Sequence, residues 1–282
     1  MAHPIAESFR RAAELVAANP LRQGNLLHLD GEDDVVFAGD IHGHRQNLAR
    51  IIAYADVAAR PKRRLVLQEI IHGGPTTPEG ADRSFEVLLR AIRLKIAHPD
   101  RVCFLMGNHD VAQFTGNEIT KSGMGVCKAF DMGLELSFGP SAEEVRDAVY
   151  AFLAAMPLAA VCPNGMLLSH SMPTPDRMKV MDWDVFGRPY APKDFCRGGG
   201  VYEWTWGRNH SAEQLHAIGE RLGVRQFLIG HQPVREGFEI QHGRAVILSS
   251  DSPHGAIMAF NAGTHTPDDE LPALIRPIAA LG

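Results

Sequence analysis

The hydrophobic residues in the first half of the chain recur with two different periods. In residues 45–59, Leu48, Ile51, Ile52 and Ala55 have the i, i+3, i+4, i+7 spacing that places them on one face of a helix. Short continuous apolar runs flank this segment and end at glycine or polar residues, as buried strands do. The pattern predicts helices at 3–19, 45–59 and 82–97, and strands at 26–29, 34–38, 64–70 and 101–106.

The order of these elements predicts a partly parallel sheet with right-handed crossovers, preceded by a hairpin around Asp30 and Gly31. After a predicted helix at 142–155, the pattern changes to six short strands with tight turns, interrupted by one clear helix at 212–222. A half of alternating strands and helices followed by a strand-rich half favours two sheets packed face to face. We therefore predict an α/β (α+β) fold, a two-sheet β-sandwich flanked by helices.

The chain shows no internal repeat and no obvious linker, so residues 1–282 are predicted to form one domain. Residues 111–139 are less regular, and we expect them to be helical in pieces and able to cap a site. The tail, residues 263–282, is polar and rich in proline and is expected to run along the surface.

Composition narrows the class of protein. The formal charge of −5, from 28 basic and 33 acidic residues, predicts no extended nucleic-acid surface. The sequence has neither the apolar core of a signal peptide nor a membrane-length apolar stretch. Its four cysteines lack a C-x-x-C pair and are expected to be reduced thiols. We therefore expect a cytoplasmic protein with no membrane contact, and the oligomeric state stays open.

Candidate metal ligands stand where predicted strands end. Gly39-Asp40-Ile41-His42-Gly43 and Gly107-Asn108-His109-Asp110 each follow an apolar run, and so do single carboxylate or histidine residues further along. Three histidines, two carboxylates and one amide suit Mn, Fe or Zn better than Ca. Six ligands exceed what one catalytic ion needs, whereas two ions bridged by a carboxylate would use them all. The predicted ligands are Asp40, His42, Glu69, Asn108, His170 and His231.

In these motifs the chain resembles the calcineurin-like metallophosphoesterases, in particular the phosphoprotein-phosphatase type. The resemblance extends from about Val35 to Gly255 and implies the two-sheet fold already predicted. It implies that Asp40 and His42 bind a first metal, that Glu69 bridges, and that Asn108, His170 and His231 bind a second. It also implies attack by a hydroxide bridging the metals, with His109 as general acid and Asp110, the next motif residue, as a further catalytic candidate.

The second family motif, GDxxDRG, is altered here to Gln68-Glu69-Ile70-Ile71-His72-Gly73-Gly74. Glu69 replaces the bridging aspartate and is longer by about 1.5 Å. His72 replaces the aspartate that orients the catalytic histidine, and is also a candidate ligand or substrate contact. Gly73 replaces an arginine that binds phosphate bidentately. Arg45 and Arg208 are the candidates to supply that missing charge.

Two hypotheses follow from this combination. The first is a metal-dependent hydrolase of phosphomonoesters, acting on a phosphoprotein, a small molecule or a nucleotide. The second is a metal- and phosphate-binding module of the same fold that has lost turnover, because half of the phosphate clamp is missing.

Overall fold

A computed structural model describes residues 2–121 and 124–281 of the chain. The α-helices in these residues are α1 (Pro4–Ala17), α2 (Arg45–Ala55), α3 (Phe85–Ala97), α4 (Asn108–Thr115), α5 (Val126–Phe138), α6 (Ala142–Ala155), α7 (Gly200–Trp206) and α8 (Ala212–Leu222). The strands of the first half are β1 (Arg22–Gln23), β2 (Leu26–His28), β3 (Asp34–Ala38), β4 (Arg63–Gln68), β5 (Val102–Leu105), β6 (Thr120–Lys121) and β7 (Met124–Gly125). Those of the second half are β8 (Ala159–Val161), β9 (Met166–Ser169), β10 (Gln226–Ile229), β11 (Phe238–Gln241), β12 (Ala245–Leu248), β13 (Ala256–Asn261) and β14 (Ile275–Pro277).

Two mixed sheets form the centre of the described structure. One has seven strands in the order β1-β2-β8-β9-β10-β12-β11, and the other has five in the order β14-β13-β3-β4-β5. Strands β3, β4 and β5 are parallel neighbours, as are β9, β10 and β12. A short antiparallel pair, β6 and β7, stands apart from both sheets. The predicted fold class, two sheets flanked by helices, is confirmed.

Alternation along the strands explains how the sheets pack. On β3, Val35 and Phe37 point into a buried layer that also contains Leu168 and Leu228 of the other sheet. Val36, between them, points to the outer face, where the helices cover it. Successive side chains of a strand point to opposite faces, so apolar residues on both faces require cover on both sides. Continuous apolar runs such as β3 therefore become strands buried on both faces.

The hairpin predicted around Asp30 and Gly31 is wrong. Strand β2 pairs with β1 and β8, whereas β3 pairs with β4 and β13 in the other sheet. The turn instead carries the chain from one sheet to the other, and the Asp33 carboxylate accepts a hydrogen bond from the Asp30 amide across it. Sequence spacing alone could not show this, because Leu27 and Val35 face the same buried layer from opposite sides.

Other parts of the chain differ from expectation in detail. The tail after Gly263 is not purely superficial, because β14 pairs with β13 and both Leu271 and Ile278 are buried. Helix α7 was not predicted. Residues 111–139 form parts of α4 and α5 with the β6–β7 pair between them; residues 122 and 123 lie outside the described residues. The single-domain organisation stays a prediction.

The topology brings the predicted ligands together. Parallel strands β3, β4 and β5 end at one edge of their sheet, and Asp40, Glu69 and Asn108 follow them. Parallel strands β9 and β10 end with His170 and His231 next in the chain. The carboxyl ends of the strands in both sheets thus meet at one end of the sandwich.

Candidate metal centre

The loops that carry the site residues have an unusual backbone. His42, Glu69, His72 and His231 all have positive φ, between 39° and 66°, although none is glycine. This left-handed region is uncommon for residues with a side chain and clusters at functional sites, where surrounding contacts hold it. The Glu69 carbonyl accepts hydrogen bonds from the amides of Ile41 and His42, each at 3.0 Å. The first and second motifs are therefore held to each other through their backbones.

Glu69 lies at the centre of the site and is almost fully buried. Its Oε1 is 3.5 Å from His42 Nε2 and 3.7 Å from His109 Nε2, while its Oε2 is 2.9 Å from His170 Nε2. Ligand atoms of His42, Glu69 and His109 lie within 4.8 Å of one another, and so do those of Asp40, Glu69 and His170. One carboxylate is thus shared by two clusters of metal-type side chains.

His170 Nε2 faces several groups at once. It lies 2.9 Å from Asn108 Oδ1 and 3.1 Å from His231 Nδ1, in addition to Glu69 Oε2. A ring nitrogen carries at most one proton and can satisfy only one good acceptor. Glu69 Oε2 is buried and has no donor in hydrogen-bonding geometry. Lone pairs that converge in this way, without enough protons between them, are the arrangement that a cation satisfies.

The electrostatics favour a cation as well. Burial alone would lower the pKa of His170, but Glu69 and Asp40 outweigh burial and raise it to about 10. Burial would raise the pKa of Glu69, but His170 and His109 lower it well below the ordinary value. Burial and the neighbouring His170 also hold the pKa of His231 well below its usual range. The residues therefore fit divalent metal ions, which would replace the proton on His170.

Groups behind the ligands fix their ring protons. Gln68 donates from Nε2 to the Ala38 carbonyl at 3.2 Å, so its Oε1 faces His170 Nδ1 at 3.1 Å. His170 Nδ1 is then the donor, and Nε2 is the ring atom that could bind a metal ion. His42 Nδ1 similarly donates to the Ile71 carbonyl at 3.1 Å. Sequence reasoning missed Gln68, which occupies the first position of the altered motif.

Asp40 is held by the chain that carries His231. Both of its carboxylate oxygens accept from the His231 amide, at 3.0 and 2.9 Å. Gly230, just before, lies so close that a Cβ there would be 2.2 Å from Asp40 Oδ1. The first motif and the late histidine are therefore positioned together.

His109 and His72 form a pair at the altered side of the site. Their Nδ1 atoms are 2.8 Å apart, and the second ring nitrogen of His72 is 2.6 Å from Gln113 Oε1. Burial lowers the pKa of His109 to about 4, and burial together with His109 lowers that of His72 to about 3. Both nitrogens of His72 are occupied and its side chain is buried, so its position favours orienting His109 over binding substrate.

Of the remaining candidate residues, one lines the pocket and two do not. Arg208 lines the pocket and donates from Nε to His231 Nε2 at 3.1 Å. Asp110 lies behind the site, where its Oδ2 accepts from the Gly107 amide at 2.8 Å and caps the first turn of α4. Burial and the nearby Glu69 raise the pKa of Asp110 to about 8. Arg45 is exposed, pairs with Glu86 at 2.7 Å and is absent from the pocket lining.

A cavity of about 270 Å³ opens over these side chains. Besides predicted residues, its lining includes side chains that sequence reasoning missed, namely Ile119, Thr120, Gln232, Pro233, Ser249 and Asp251. Ile119 and Thr120 belong to the expected cap segment and reach the pocket edge. The position of Ser249 and Asp251 in the sequence could have indicated them, because they follow directly after the apolar strand β12.

Comparison with known families decides the class. The calcineurin-like phosphoesterase profile matches residues 34–267, which include every predicted ligand. The chain belongs to the calcineurin-like phosphoesterase family. The predicted resemblance and the hydrolase class are confirmed.

Relatives of this phosphoesterase include named phosphatases. A serine/threonine-protein phosphatase of Caenorhabditis elegans is 22% identical over 249 residues, which cover 82% of this chain and 50% of that protein. The chain thus spans half the length of this relative. A Saccharomyces cerevisiae protein serine/threonine phosphatase, described as similar to human phosphatase PP5, aligns with a TM-score of 0.66 and 16% identity, covering 98% of this chain and 92% of the other.

A cold-active protein-tyrosine phosphatase of a psychrophilic Shewanella aligns with a TM-score of 0.60 and 15% identity, covering 89% of this chain and 80% of the other. Identities this low show a common fold. No helix among residues 2–121 and 124–281 is long and apolar enough to cross a membrane.

Proposed function

We propose that this phosphoesterase hydrolyses phosphomonoesters with two divalent metal ions, Mn, Fe or Zn. Their ligands would be Asp40, His42, Glu69, Asn108, His170 and His231. The observation that carries the proposal is the Glu69 carboxylate, whose two oxygens face two separate clusters of metal-type side chains. The left-handed backbone of Glu69, at φ 39°, is compatible with a longer side chain that bridges in place of the family's aspartate.

Bound cations would supply positive charge to the phosphoryl oxygens and would lower the pKa of water entering the site. The chain's own residues would orient and protonate the substrate. His109 Nε2 faces Glu69 and the pocket, whereas its Nδ1 is occupied by His72. We infer that Nε2 gives a proton to the leaving oxygen. The negative charge of a bound phosphoryl group would raise the lowered pKa of His109, because opposite charge favours the imidazolium.

Arg208 is the residue that we propose to bind the phosphoryl group. Its guanidinium lines the pocket and now contacts His231 Nε2. A neutral imidazole has only one nitrogen with a free lone pair, so Arg208 and a cation at His231 Nδ1 compete for that ring. If His231 serves as a metal ligand, the Arg208 guanidinium would turn from this ring to the phosphoryl oxygens. The Arg208 guanidinium would then replace part of the positive charge that an arginine at position 73 supplies in the family motif.

A phosphorylated protein side chain is the substrate class that we propose. The cavity of about 270 Å³ is slightly smaller than most small-molecule sites and would hold a phosphoryl group with a short stem. The rest of a protein substrate would then lie outside it. The protein phosphatases named among the relatives support the same choice.

The test is the variant His109→Asn, assayed for metal content and for p-nitrophenyl phosphate hydrolysis after loading with Mn²⁺. We expect about two ions per chain to be retained and kcat to fall by about 100- to 10,000-fold, the range for loss of a general acid. His216→Asn is the matched control, since His216 is an exposed histidine on α8 that pairs with Glu220. Full activity of His109→Asn would contradict the acid role, and loss of metal together with activity would make His109 a ligand.

The second candidate function, a metal- and phosphate-binding module without turnover, is favoured by one observation. Gly73 has φ 117° and a Cβ there would lie 3.0 Å from the His42 carbonyl oxygen, so position 73 lacks the family's arginine and has a backbone that disfavours one. This alternative predicts bound metal and measurable affinity for inorganic phosphate with no hydrolysis under any metal. Turnover by the purified wild-type protein that chelation abolishes and Mn²⁺ restores would exclude it.

A further inference from the structure

A line of polar side chains, partly buried at α5 and α6 and fully buried at Gln113 and His72, runs to the candidate metal centre. Tyr150 donates to Asp131 at 2.9 Å, and Gln113 Nε2 donates both to Asp131 Oδ1 and to the Tyr150 hydroxyl, each at 2.9 Å. Gln113 Oε1 then meets His72 Nε2, and His72 Nδ1 meets His109 Nδ1. Gln113 and His72 are each 1% exposed, so water cannot substitute for these partners.

The direction of each hydrogen bond follows from the Gln113 amide. Asp131 also accepts from Tyr150, so the side of Gln113 that faces it must be the NH₂ group. Gln113 Oε1 is therefore turned towards His72 and can only accept. His72 must carry its proton on Nε2, and its Nδ1 is left as an acceptor. His109 in turn must carry a proton on Nδ1, which leaves Nε2 as the ring atom facing Glu69.

We propose that Gln113, held by Asp131 and Tyr150, fixes the ring proton of His72 and through it that of His109. This network does for His109 what an acidic residue at position 72 does in the family pattern. Gln113, Asp131 and Tyr150 are positioning residues, because they act through His72 and touch neither substrate nor metal. The consequence for catalysis rests on the proposed function, whereas the ring-proton assignment does not.

Several contacts keep the His72 ring in place for this purpose. The Ser84 hydroxyl accepts from the His72 amide at 3.0 Å, and Phe130 packs edge-on against the ring with centroids 5.7 Å apart. The His109 ring also packs edge-on against it, with centroids 5.1 Å apart, and both ring nitrogens have partners, which favours a single ring orientation. With the ring fixed, only the partner of Nε2 decides which tautomer forms, and that partner is Gln113.

The first measurement is the tautomer of each ring by ¹⁵N–¹H NMR on histidine-labelled full-length protein, metal-free and loaded with Zn²⁺. Signals are assigned by loss in His72→Asp and His109→Asn. We expect the Nε2–H form for His72 and the Nδ1–H form for His109. Gln113→Met, which keeps length but removes the amide, should convert His72 to a mixture of tautomers. An Nδ1–H form of His72 in the wild type would overturn the proposal.

Gln214→Met is the matched control. Gln214 is also a buried glutamine beside a histidine ring, with Oε1 3.3 Å from His210 Nδ1, but it lies on α8 away from the pocket lining. Its replacement should leave the His72 and His109 signals and the kinetics unchanged. Changes at those two rings equal to the ones from Gln113→Met would mean a general loss of packing and would contradict a specific role for Gln113.

The kinetic test separates positioning from binding. Gln113→Met should lower kcat by about 10- to 100-fold, the range seen when a group that orients a metal ligand is removed, with little change in KM. In the double variant His72→Asp, Gln113→Met, a carboxylate at 72 accepts from His109 without help, so activity should equal that of His72→Asp alone. Aspartate tolerates the φ of 66° at this position. Additive losses in the double variant would overturn the proposal.

These outcomes keep the two proposals distinguishable. If the wild type hydrolyses no phosphoester but shows the expected tautomers, the proposed function fails and the network stands. If it hydrolyses phosphoesters and Gln113→Met changes neither tautomer nor kcat, the proposed function stands and the network is disproved.

Discussion

The two halves of the site differ in how far they follow the family pattern. We call Asp40, Asn108, His170 and His231 the intact half, and Glu69, His72 and Gly73 the altered half. The intact half matches the family motifs residue by residue, and its groups converge within hydrogen-bonding distance. The altered half matches at none of its three positions, and yet Glu69 contacts His170 and His72 contacts His109.

The difference shows which functions survive a change of side chain. A longer residue can bring a carboxylate oxygen to the same place if its backbone accommodates the extra length, and Glu69 has a left-handed φ of 39°. A hydrogen-bond acceptor for His109 can be an imidazole if a further group fixes its tautomer, as Gln113 does. A bidentate guanidinium has no such substitute at Gly73. The proposed ligand and orienting roles can therefore be filled by these replacements, whereas the proposed phosphate clamp has to come from another part of the chain.

We expect the largest effect from two substitutions that each add a methyl group against one half of the site. A Cβ at Gly107 would lie 2.1 Å from Glu69 Oε2, and one at Gly230 would lie 2.2 Å from Asp40 Oδ1. Neither glycine has positive φ, so alanine fits both backbones. Gly107→Ala should displace the shared carboxylate, remove both ions and lower kcat/KM by at least about 100-fold. Gly230→Ala should remove only the ion at Asp40.

Metal content per chain after dialysis, together with p-nitrophenyl phosphate hydrolysis, measures both effects. Unchanged far-ultraviolet circular dichroism would exclude unfolding as the cause. Two ions retained by Gly107→Ala with wild-type turnover would show that Glu69 is not a ligand, and the altered half would then be a structural remnant.

Much of the site could be predicted because local patterns encode it. Apolar runs that end in Gly-Asp, Gly-Asn or Ser-His place Asp40, Asn108 and His170 at strand ends, and parallel strands bring such ends to one edge. The sandwich follows from the same runs, since a strand apolar on both faces needs cover on both. These inferences require only spacing and residue type.

The rest depends on contacts between segments distant in the chain. Gln113 and Asp131 lie in a region whose sequence pattern is irregular. The contacts of Gln113 with His72 and with Asp131 arise only from where α4 and α5 pack in the fold. The false hairpin has the same origin, because nothing local in residues 26–38 tells whether β2 and β3 share a sheet. Arg45 and Arg208 looked alike as phosphate candidates, and only the fold separates them.

The second prediction tests whether the phosphate clamp has moved to Arg208. Arg208→Ala should lower kcat/KM by about 10- to 100-fold, because hydrogen bonds between charged groups contribute about 1.5–3 kcal/mol. Inorganic phosphate should also become a weaker inhibitor. Arg208→Lys, which keeps charge but loses the bidentate geometry, should recover only part of the loss. Wild-type kinetics and phosphate inhibition in Arg208→Ala would leave the clamp unassigned and strengthen the non-hydrolytic alternative.

The third prediction concerns restoration of the family arginine. Gly73→Arg should not raise activity and should lower the free energy of unfolding by about 1–3 kcal/mol, because φ 117° is strained for a side chain and a Cβ would lie 3.0 Å from the His42 carbonyl. Urea unfolding measures the change. Gly116→Arg is the control, with positive φ but no atom within 4 Å of its Cβ, and should cost less. Increased activity without destabilisation would mean that the altered half can still accept the family's clamp.

The smallest effect is expected at Arg45, the other candidate for the missing charge. Its guanidinium is more than half exposed and pairs with Glu86, which Arg83 also contacts. Exposed pairs of this kind contribute about 0–1 kcal/mol, and removing one leaves Glu86 with its second partner. Arg45→Ala should therefore change kcat/KM by less than about twofold, since an interaction outside the pocket adds nothing to transition-state binding. Steady-state kinetics beside Arg208→Ala provide the measurement. A larger loss from Arg45→Ala than from Arg208→Ala would reverse the assignment, because it would require Arg45 to leave Glu86 and reach the phosphoryl group when substrate binds.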